Sequence, residues 1–467
     1  MPGARTIGNG ESGGRAASAS AAVDIAPLLD TGRWTAYQKF VTALSALAVI
    51  FDGFDIQILG FAVPSLMKEW GLGRPAFGPV LALGLAGMAV GSPLAGYWGD
   101  RYGRRPALIG CLVVFGLATL ATSFVDSVVG LGVLRFVTGL GTGGALPNVS
   151  ALVAEFAPLR RRPLAVKLTI VCVPLGGMLG GLIAAQVLPA YGWRVLYQIG
   201  GVAPLAFAAL LWLLLPESPR LLVQNRRSWP TLERLLQRIG RPVPPGSAFE
   251  DAGERQVSDR APIRALLGPN HVRDTAGLWI AFLFCLGSIY LIFGWLPTLL
   301  TSQGVSVAAA SEALAIFNVG GVIGVLVWAA LITRFGSRGP LLTGALAAAG
   351  SALLILLVPV TAGGGSTLML TALALSGMFA NAVQTAMYAL AAHVYPTAIR
   401  ASGVAYAAAV GRVGGIFSSI FGATIIGMGA GAYWGFVAIS MVIAFVGLSL
   451  VGRHFPAVRN ADAAKGR

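Results

Sequence analysis

The sequence predicts an all-α integral membrane protein whose twelve transmembrane helices form two pseudo-symmetric six-helix bundles. Three observations support this fold class. Of the 467 residues, 56% are hydrophobic and only 11% are charged, whereas a soluble domain carries about 25% charged residues. Twelve apolar runs are long enough to cross a bilayer, which takes about 20 residues each. Short motifs of the first half also recur in the second half.

We number the apolar runs as spans 1 to 12 in chain order. The mean hydropathy of the chain is +0.77. Its 63 glycines suit helices that pack closely within a membrane, because small residues let backbones approach. The predicted spans cover residues 38–63, 77–99, 106–125, 128–154, 164–189, 193–215, 275–300, 307–332, 339–361, 366–392, 402–428 and 431–452.

Basic residues in the loops predict the orientation of the spans. The loop after span 2 contains Arg101, Arg104 and Arg105, and the loop after span 4 contains arginines at 160–162. The loops after spans 3, 7, 9 and 11 carry almost no basic residues. Because basic loops stay in the cytoplasm, both termini are predicted to be cytoplasmic. The net charge of +15 then reflects these loops, and we expect no nucleic-acid partner.

Polar segments divide the chain into five parts. The first 35 residues are rich in Gly, Ala, Ser and Arg and lack the apolar core of a cleaved signal peptide, which indicates a disordered tail. A short amphipathic helix is expected near 232–239 in the long polar stretch. The predicted parts are a cytoplasmic tail over 1–35, an N-terminal bundle over 36–215, a cytoplasmic linker over 216–274, a C-terminal bundle over 275–452 and a cytoplasmic tail over 453–467.

Span 1 carries two carboxylates near its middle, Asp52 and Asp55. One Asp at the centre of a membrane helix costs about 2.5–3.5 kcal/mol, so such residues usually face a water-filled cavity or a partner and serve a function. The two residues are three apart and share one helix face. Like charges this close resist joint ionisation, so the pair should bind and release protons as a unit. The alternative is a pair that neighbouring helices satisfy, with no role in transport.

Three motifs of the first half align with motifs of the second half. Parallel six-helix repeats imply two bundles that rock about a central site between them. The aligned stretches are 99–105 with 332–338 (GDRYGRR with ITRFGSR), 155–158 with 393–396 (EFAP with HVYP) and 174–177 with 412–415 (PLGG with RVGG).

These motifs resemble the major facilitator superfamily. The loop at 99–105 looks like the superfamily's hallmark loop after the second helix, and PESPR at 216–220 after span 6 fits as well. The resemblance covers residues 35 to 452 and narrows to the aromatic acid:proton symporter family, typified by 4-hydroxybenzoate and protocatechuate transporters. The stretches that carry this narrower resemblance are 52–55, 135–144, 147–148, 395–403 and 411–415.

The resemblance implies proton-coupled import of a small aromatic carboxylate across the bacterial cytoplasmic membrane by a multi-pass protein that works as a monomer. Its partners would be the aromatic acid, protons and the lipid bilayer. The second-half loop departs from the family pattern, because Thr333 stands where the first half has Asp100. Any gating contact that an acid makes at this position in relatives must be absent or replaced here.

Other functions remain open at this stage. The same fold would also suit a proton-coupled exporter of drugs or metabolites, or a sugar or organic-solute porter. A receptor would need a soluble signalling domain and an enzyme a catalytic cluster, and the sequence shows neither. The cysteines, Cys111, Cys172 and Cys285, are isolated in apolar runs without metal-ligand spacing, and no ATP motif is present, so we expect no cofactor.

Arg412 is the candidate receptor for the substrate carboxylate. It lies about 15 Å into span 11, near the midplane of a hydrocarbon core about 30 Å thick. A guanidinium stays charged and binds a carboxylate through two parallel hydrogen bonds. The alternative is a permanent ion pair with Asp52 or Asp55. The substrate ring also needs a flat apolar slot with a few polar groups, for which the candidates are Phe51, Phe54, Tyr290, Phe293, Trp295, Asn318, Asn381, Gln384 and Tyr388.

Further charges belong to the polar interior and to a predicted cytoplasmic gate. Arg135 in span 4 either pairs structurally with a carboxylate of span 1 or takes part in proton coupling. The gate would clamp the bundles in one state and release them in the other, although loop topology alone would also explain part of its charge. The gate candidates are Asp100, Arg101, Arg104, Glu155 and Arg400.

Overall fold

The computed structural model describes residues 22–251, 266–269, 271–358 and 366–457. Within these ranges, eleven helices are long and apolar enough to cross a membrane. One of them, Arg162–Leu214, contains two spans, because Gly192 interrupts it with φ 76° and ψ 177°. This backbone conformation is accessible to glycine but strained for other residues. The described helices therefore supply the twelve predicted spans.

The observed spans agree with the prediction to within a few residues, except that span 1 is longer at its far end. Span 1 begins with a capping box, in which Thr35 and Gln38 bond each other's backbone amides, and it ends at Gly71, whose φ of 65° suits glycine. The helices that hold spans 1 to 12 are Ala36–Trp70, Gly78–Tyr102, Arg104–Thr122, Val128–Phe156, Arg162–Leu214 (spans 5 and 6), Val272–Ser302, Val307–Phe335, Arg338–Leu356, Thr367–Val394, Thr397–Gly427 and Ala430–Leu450.

The helix packing confirms the two pseudo-symmetric bundles. In the first bundle span 2 packs on span 4 and span 1 packs on span 5. In the second bundle the equivalent spans 8 and 10, and 7 and 11, pack in the same way. The main contacts between the bundles join span 1 to span 7, span 2 to span 11 and span 5 to span 8.

The bundles approach each other most closely on one side of the molecule. We call the side that carries the linker and the loops after spans 2, 4, 8 and 10 the linker side, and the opposite side the far side. A Cβ at Gly60 would lie 2.1 Å from the carbonyl oxygen of Phe293, and one at Gly181 would lie 2.9 Å from that of Ser311. Both positions are in the far halves of their spans, so glycines allow the backbones to meet there.

The prediction of a disordered tail over 1–35 was wrong for residues 22–35, whereas residues 1–21 lie outside the described ranges. Val23–Asp24 pairs in parallel with Phe249–Glu250 of the linker, and the helix Ile25–Asp30 buries Ile25 and Leu29 completely. The polar composition of the whole segment concealed this short apolar cluster. The linker helix Trp229–Arg238 confirms the amphipathic helix predicted nearby.

Candidate functional site

Asp55 of span 1 and Arg135 of span 4 form a buried ion pair inside the first bundle. Asp55 is only 2% exposed and Arg135 only 5%. Arg135 Nη2 lies 3.2 Å from Asp55 Oδ2 and donates to the Asp55 carbonyl oxygen at 3.0 Å. Thr119 of span 3 donates to Asp55 Oδ1 at 2.7 Å. Each Asp55 oxygen therefore has a donor, and the guanidinium of Arg135 lies where it can balance a charge on this carboxylate.

Asp52 is equally buried but lacks such support. Its Oδ1 has no hydrogen-bond partner among the described residues, and it forms no ion pair with any of them. The nearest charges that act on it are Asp55, one helical turn away, and Arg412 of the second bundle. A buried carboxylate without a partner is costly when ionised. Asp52 therefore differs from Asp55 in its surroundings although the two residues share one helix face.

Arg412 of span 11 is partly buried and interacts electrostatically with groups of both bundles. Its guanidinium acts electrostatically on Asp52 and on the hydroxyls of Tyr290 and Tyr388. No carboxylate of the described residues lies within 4 Å of it, so the alternative of a permanent ion pair with Asp52 or Asp55 is not seen in this conformation. Tyr388 packs edge-on against Phe282 with ring centroids 5.0 Å apart. The guanidinium of Arg412 therefore lies close enough to both tyrosine hydroxyls to interact with them electrostatically.

A narrow cavity of about 40 Å³ lies between the bundles next to the Asp55–Arg135 pair. Tyr290 and Phe293 form its wall on the second bundle, and Leu85 and Met88 of span 2 form part of the opposite wall. A water molecule requires about 10–15 Å³, so the cavity admits water-sized molecules but no aromatic ring. A ring could enter this cavity only if its walls moved apart.

Three of the predicted ring contacts lie away from this central space. Phe51 packs on Phe207 of span 6, with centroids 5.2 Å apart. Phe54 is 7% exposed and touches the glycines of spans 5 and 6. Trp295 is fully buried, and its indole donates to the Ser419 carbonyl oxygen at 3.0 Å. In this conformation these residues are packing residues, because each points into its own bundle.

The predicted amide ligands also differ in their surroundings. Asn318 of span 8 is fully buried and hydrogen-bonded to Gln57 of span 1. Asn381 donates to the Gly377 carbonyl oxygen one turn earlier on its own helix, at 3.0 Å. Gln384 is partly buried, with no hydrogen bond to another described residue. Of the three predicted amide ligands, Gln384 is therefore the one whose side chain is not already hydrogen-bonded to a described residue. It lies one helical turn before Tyr388.

The predicted gate residues of the first bundle form one charge cluster on the linker side. Arg104 pairs with Asp100, and its Nε lies 3.6 Å from Glu155 at the end of span 4. Glu155 in turn accepts a hydrogen bond from Ser218, just after span 6. Arg101 instead donates to the Tyr97 hydroxyl at 2.7 Å. All of these contacts lie within the first bundle, so the structure does not show them bridging to the second.

The second bundle has different groups at the equivalent positions. Ser337 replaces Arg104 and accepts a hydrogen bond from the amide of Phe455 at 2.9 Å, while its own amide donates to the Phe455 carbonyl oxygen. His393 replaces Glu155 and stacks on Phe455 with centroids 4.3 Å apart. Among the described residues, Arg400 donates to the Tyr395 carbonyl oxygen at 3.4 Å and forms no ion pair. The segment after span 12 thus occupies the place of the first bundle's charges.

Sequence reasoning missed several polar residues of this interior. Gln57 is a single amide within an apolar run and could have been noticed for the same reason as the two carboxylates. Thr119 gave no signal, because threonines occur in most spans. Tyr197 of span 6 is fully buried, and its hydroxyl lies close enough to Arg135 to interact with it electrostatically. It was indistinguishable in the sequence from a core aromatic residue.

The fold and the intramembrane charges define a membrane transporter, and comparison with known proteins identifies its family. The model of the Major Facilitator Superfamily matches residues 45–371 and 278–466. Among solved structures, the partially occluded inward-open xylose transporter XylE from E. coli superposes with a TM-score of 0.71 at 20% identity, covering 90% of this chain and 99% of that one. The chain therefore belongs to the Major Facilitator Superfamily, as a multi-pass membrane protein.

Named relatives narrow the family further. A gallate transporter of Pseudomonas putida is 36% identical over 411 residues, which cover 88% of this chain and 90% of that protein. The 4-hydroxybenzoate transporter PcaK of the same organism is 34% identical over 459 residues, covering 96% and 98%. Both relatives are transporters of aromatic acids and neither is an enzyme. This agrees with the family resemblance found in the sequence motifs.

Proposed function

We propose that this protein imports a small aromatic carboxylate, such as 4-hydroxybenzoate or protocatechuate, together with protons by alternating access. The observation that supports this most directly is the placement of Asp52 and Arg412, which interact electrostatically without forming an ion pair. Neither forms an ion pair with any residue that the structure describes, and each belongs to a different bundle. The names of the relatives support the class of substrate.

In the proposed cycle Asp52 carries the proton. The unpartnered Asp52 is the less favourable place for a charge, whereas Arg135 and Thr119 stabilise the charge of Asp55. Without substrate, Asp52 in its ionised form balances Arg412 across the gap. When a proton neutralises Asp52, Arg412 is left to attract an anion. Proton and carboxylate therefore bind together, and the loaded site carries no more net charge than the empty one.

The substrate carboxylate is assigned to Arg412 and the ring to the surroundings of Tyr290 and Tyr388. A guanidinium binds a carboxylate through two parallel hydrogen bonds. Gln384 and the two tyrosine hydroxyls would discriminate among ring substituents, since a polar group buried without a partner weakens binding. Phe51, Phe54 and Trp295 contribute by supporting the helices around this space rather than by contact.

We further propose that the linker side is cytoplasmic and that the far side faces outward across the bacterial cytoplasmic membrane, with the protein acting as a monomer. The basic loops of the linker side support this orientation. The close contact of the bundles on the far side then means that the described conformation is closed to the outside. In this conformation the Asp100, Arg104 and Glu155 cluster makes no hydrogen bond or ion pair with a described residue of the second bundle, as expected of a gate that is open toward the inside.

Uptake into proteoliposomes with an imposed pH gradient tests this function. We expect labelled 4-hydroxybenzoate, but not glucose, to accumulate when the outside is acidic. Asp52→Asn should keep exchange and lose accumulation, and Arg412→Ala should lose both, with partial recovery in Arg412→Lys. Glu233→Gln in the linker is the matched control, because its exposed carboxylate accepts from the Gly246 amide and forms no ion pair with a described residue. Absence of aromatic acid uptake, or normal transport by Arg412→Ala, would contradict the proposal.

A further inference from the structure

A buried pair of amide side chains joins the two bundles on the far side. Asn318 Nδ2 donates to Gln57 Oε1 at 2.8 Å, and Gln57 Nε2 donates to Asn318 Oδ1 at 3.2 Å. Asn318 Nδ2 also donates to the Leu314 carbonyl oxygen of its own helix at 2.8 Å. Both residues are 0% exposed. Among the described residues of the far side, these are the side chains that hydrogen-bond across the bundle interface.

The surrounding backbone is shaped around this pair. Gly177 of span 5 lies directly against it, and a Cβ at this position would be 2.0 Å from Gln57 Nε2 and 2.9 Å from the Asn318 side chain. Gly181, one turn further, meets span 8 at the Ser311 carbonyl oxygen. Spans 1, 5 and 8 therefore converge on the two amides, which have no room to turn toward other partners.

We propose that Gln57 and Asn318 form a neutral latch that holds the outer side of the transport path closed. They act as positioning residues, and the inference rests on the alternating-access transport proposed above. Opening the far side must break both hydrogen bonds and expose two amides. Closing it without this pairing leaves buried amides unsatisfied, which is unfavourable.

The position of Gln57 on span 1 links the latch to the proton site. Gln57 lies on the same helix as Asp52 and Asp55, two residues beyond the latter, so span 1 carries both features as it moves. The amides themselves carry no charge and do not titrate. The outer contact is thereby set by helix position rather than by a second protonation step.

Labelling of engineered cysteines measures opening from each side. The parent has Cys111, Cys172 and Cys285 replaced by alanine. Leu81→Cys reports the outer side. Leu81 lies near the far end of span 2, lines the cavity beside the Asp55–Arg135 pair and touches Gly294 of span 7. Ile170→Cys reports the inner side, because it lies seven residues before Gly177 on the same face of span 5. Membrane-impermeant thiol reagents are applied without substrate to oriented vesicles carrying Gln57→Leu, Asn318→Leu or both changes.

Each single change should raise the rate of labelling at Leu81→Cys by about tenfold, the expected effect of leaving one buried amide unpaired. The double change should label more slowly than either single change, because no amide is left unsatisfied. Labelling at Ile170→Cys should not rise in any variant. This last measurement separates a shift toward the outward-open state from general loosening of the fold, which would accelerate both reporters.

Unchanged labelling at Leu81→Cys in the single variants would overturn the latch, as would acceleration at both reporters or additive effects in the double variant. These outcomes do not depend on the identity of the solute, because no substrate is present. A protein that labels as expected but accumulates no aromatic acid would contradict the proposed substrate and leave the latch standing.

Discussion

At the linker-side ends of the two bundles, different kinds of contact hold the loop to the neighbouring helix ends. In the first bundle Arg104 links Asp100 to Glu155, whereas in the second Ser337 and His393 hold Phe455 of the C-terminal segment. The fold thus requires a contact between the loop and the helix ends but does not require charge. This accounts for Thr333, since the C-terminal segment supplies the contact that an acid makes in the first bundle.

The contrast between a charged and an uncharged group at equivalent positions is also found in the membrane interior. The largest expected effect on stability lies there. Arg135 has Leu373 as its repeat equivalent, which is fully buried among apolar side chains. Arg135→Leu leaves the Asp55 carboxylate buried without a counter-charge, which should cost about 3–5 kcal/mol of stability. Thermal unfolding in detergent measures the loss.

A double change provides the control for this prediction. Asp55→Asn with Arg135→Leu removes both charges and should recover most of the lost stability, because a buried pair is often replaceable by uncharged residues. Leu373→Met in the second bundle should cost less than about 1.5 kcal/mol. Equal unfolding temperatures for the single and double variants would show that the uncompensated charge is not the cause.

Substitution of Arg104 and of its equivalent Ser337 tests the comparison directly. Arg104→Gln should slow uptake about fivefold, since its partly exposed ion pairs contribute about 1 kcal/mol to one state of the gate. Ser337→Ala, at the equivalent position, should change uptake by less than twofold while lowering the unfolding temperature, because its contacts hold the C-terminal segment rather than a charge cluster. Equal effects on uptake would mean that both loops act as gates.

Truncation tests whether the C-terminal segment replaces the missing charges. Ending the chain after Gly452 removes three hydrogen bonds of Ser337, two with Phe455 and one with His454. It also removes the stacking on His393 and the contacts of Arg453. The loss should cost at least about 1–2 kcal/mol of stability. Ending it after Ala457 retains these contacts and is the control. We expect thermal unfolding to separate the two truncations, and identical curves would show that residues 453–457 contribute nothing.

The smallest expected effect is on how stability against unfolding depends on pH, with opposite signs for one group in each bundle. Burial raises the pKa of Glu217, beside the first loop, above its ordinary value. Burial, with Arg338 nearby, lowers the pKa of His454, beside the second loop. A raised carboxyl pKa favours the folded state as the pH falls, whereas a lowered histidine pKa withdraws stability as the pH falls below about 6.5.

Unfolding temperatures between pH 7.5 and pH 5 should therefore respond in opposite directions to two substitutions. Glu217→Gln should remove a gain in stability on acidification, and His454→Gln should remove a loss, each by about 1–2 °C. His271 and His393 also lie on the linker side of the second bundle and are retained in both variants. Parallel shifts in the two variants would contradict these assignments.

The sequence supported the fold more fully than the site. Apolar runs and loop charges located the twelve spans, and the repeat predicted their pseudo-symmetric packing, because length and composition decide which helices cross a membrane. The faces of the spans were not predictable in the same way. Phe51, Phe54 and Trp295 lie in helices that are apolar all round, so no periodic pattern indicates which side faces the central space.

Pairings between distant residues were likewise beyond the sequence. Gln57 and Asn318 are 261 residues apart, and nothing local links an amide in span 1 to one in span 8. Asp52 and Asp55 were predicted as a unit, yet their different surroundings come from Arg135 and Arg412, on two other spans. Composition also hid the order of residues 22–35, whose few apolar side chains are buried by the linker.

The neutral character of the Gln57–Asn318 latch has a consequence for the response to ionic strength. Dissolved salt screens exposed charges, with a Debye length of about 8 Å at physiological concentration and about 3 Å at 1 M. The half-exposed Asp100–Arg104 pair is subject to this screening, while two buried amides are not. Rising salt should therefore weaken the charge cluster on the linker side and leave the proposed amide contact of the far side unchanged.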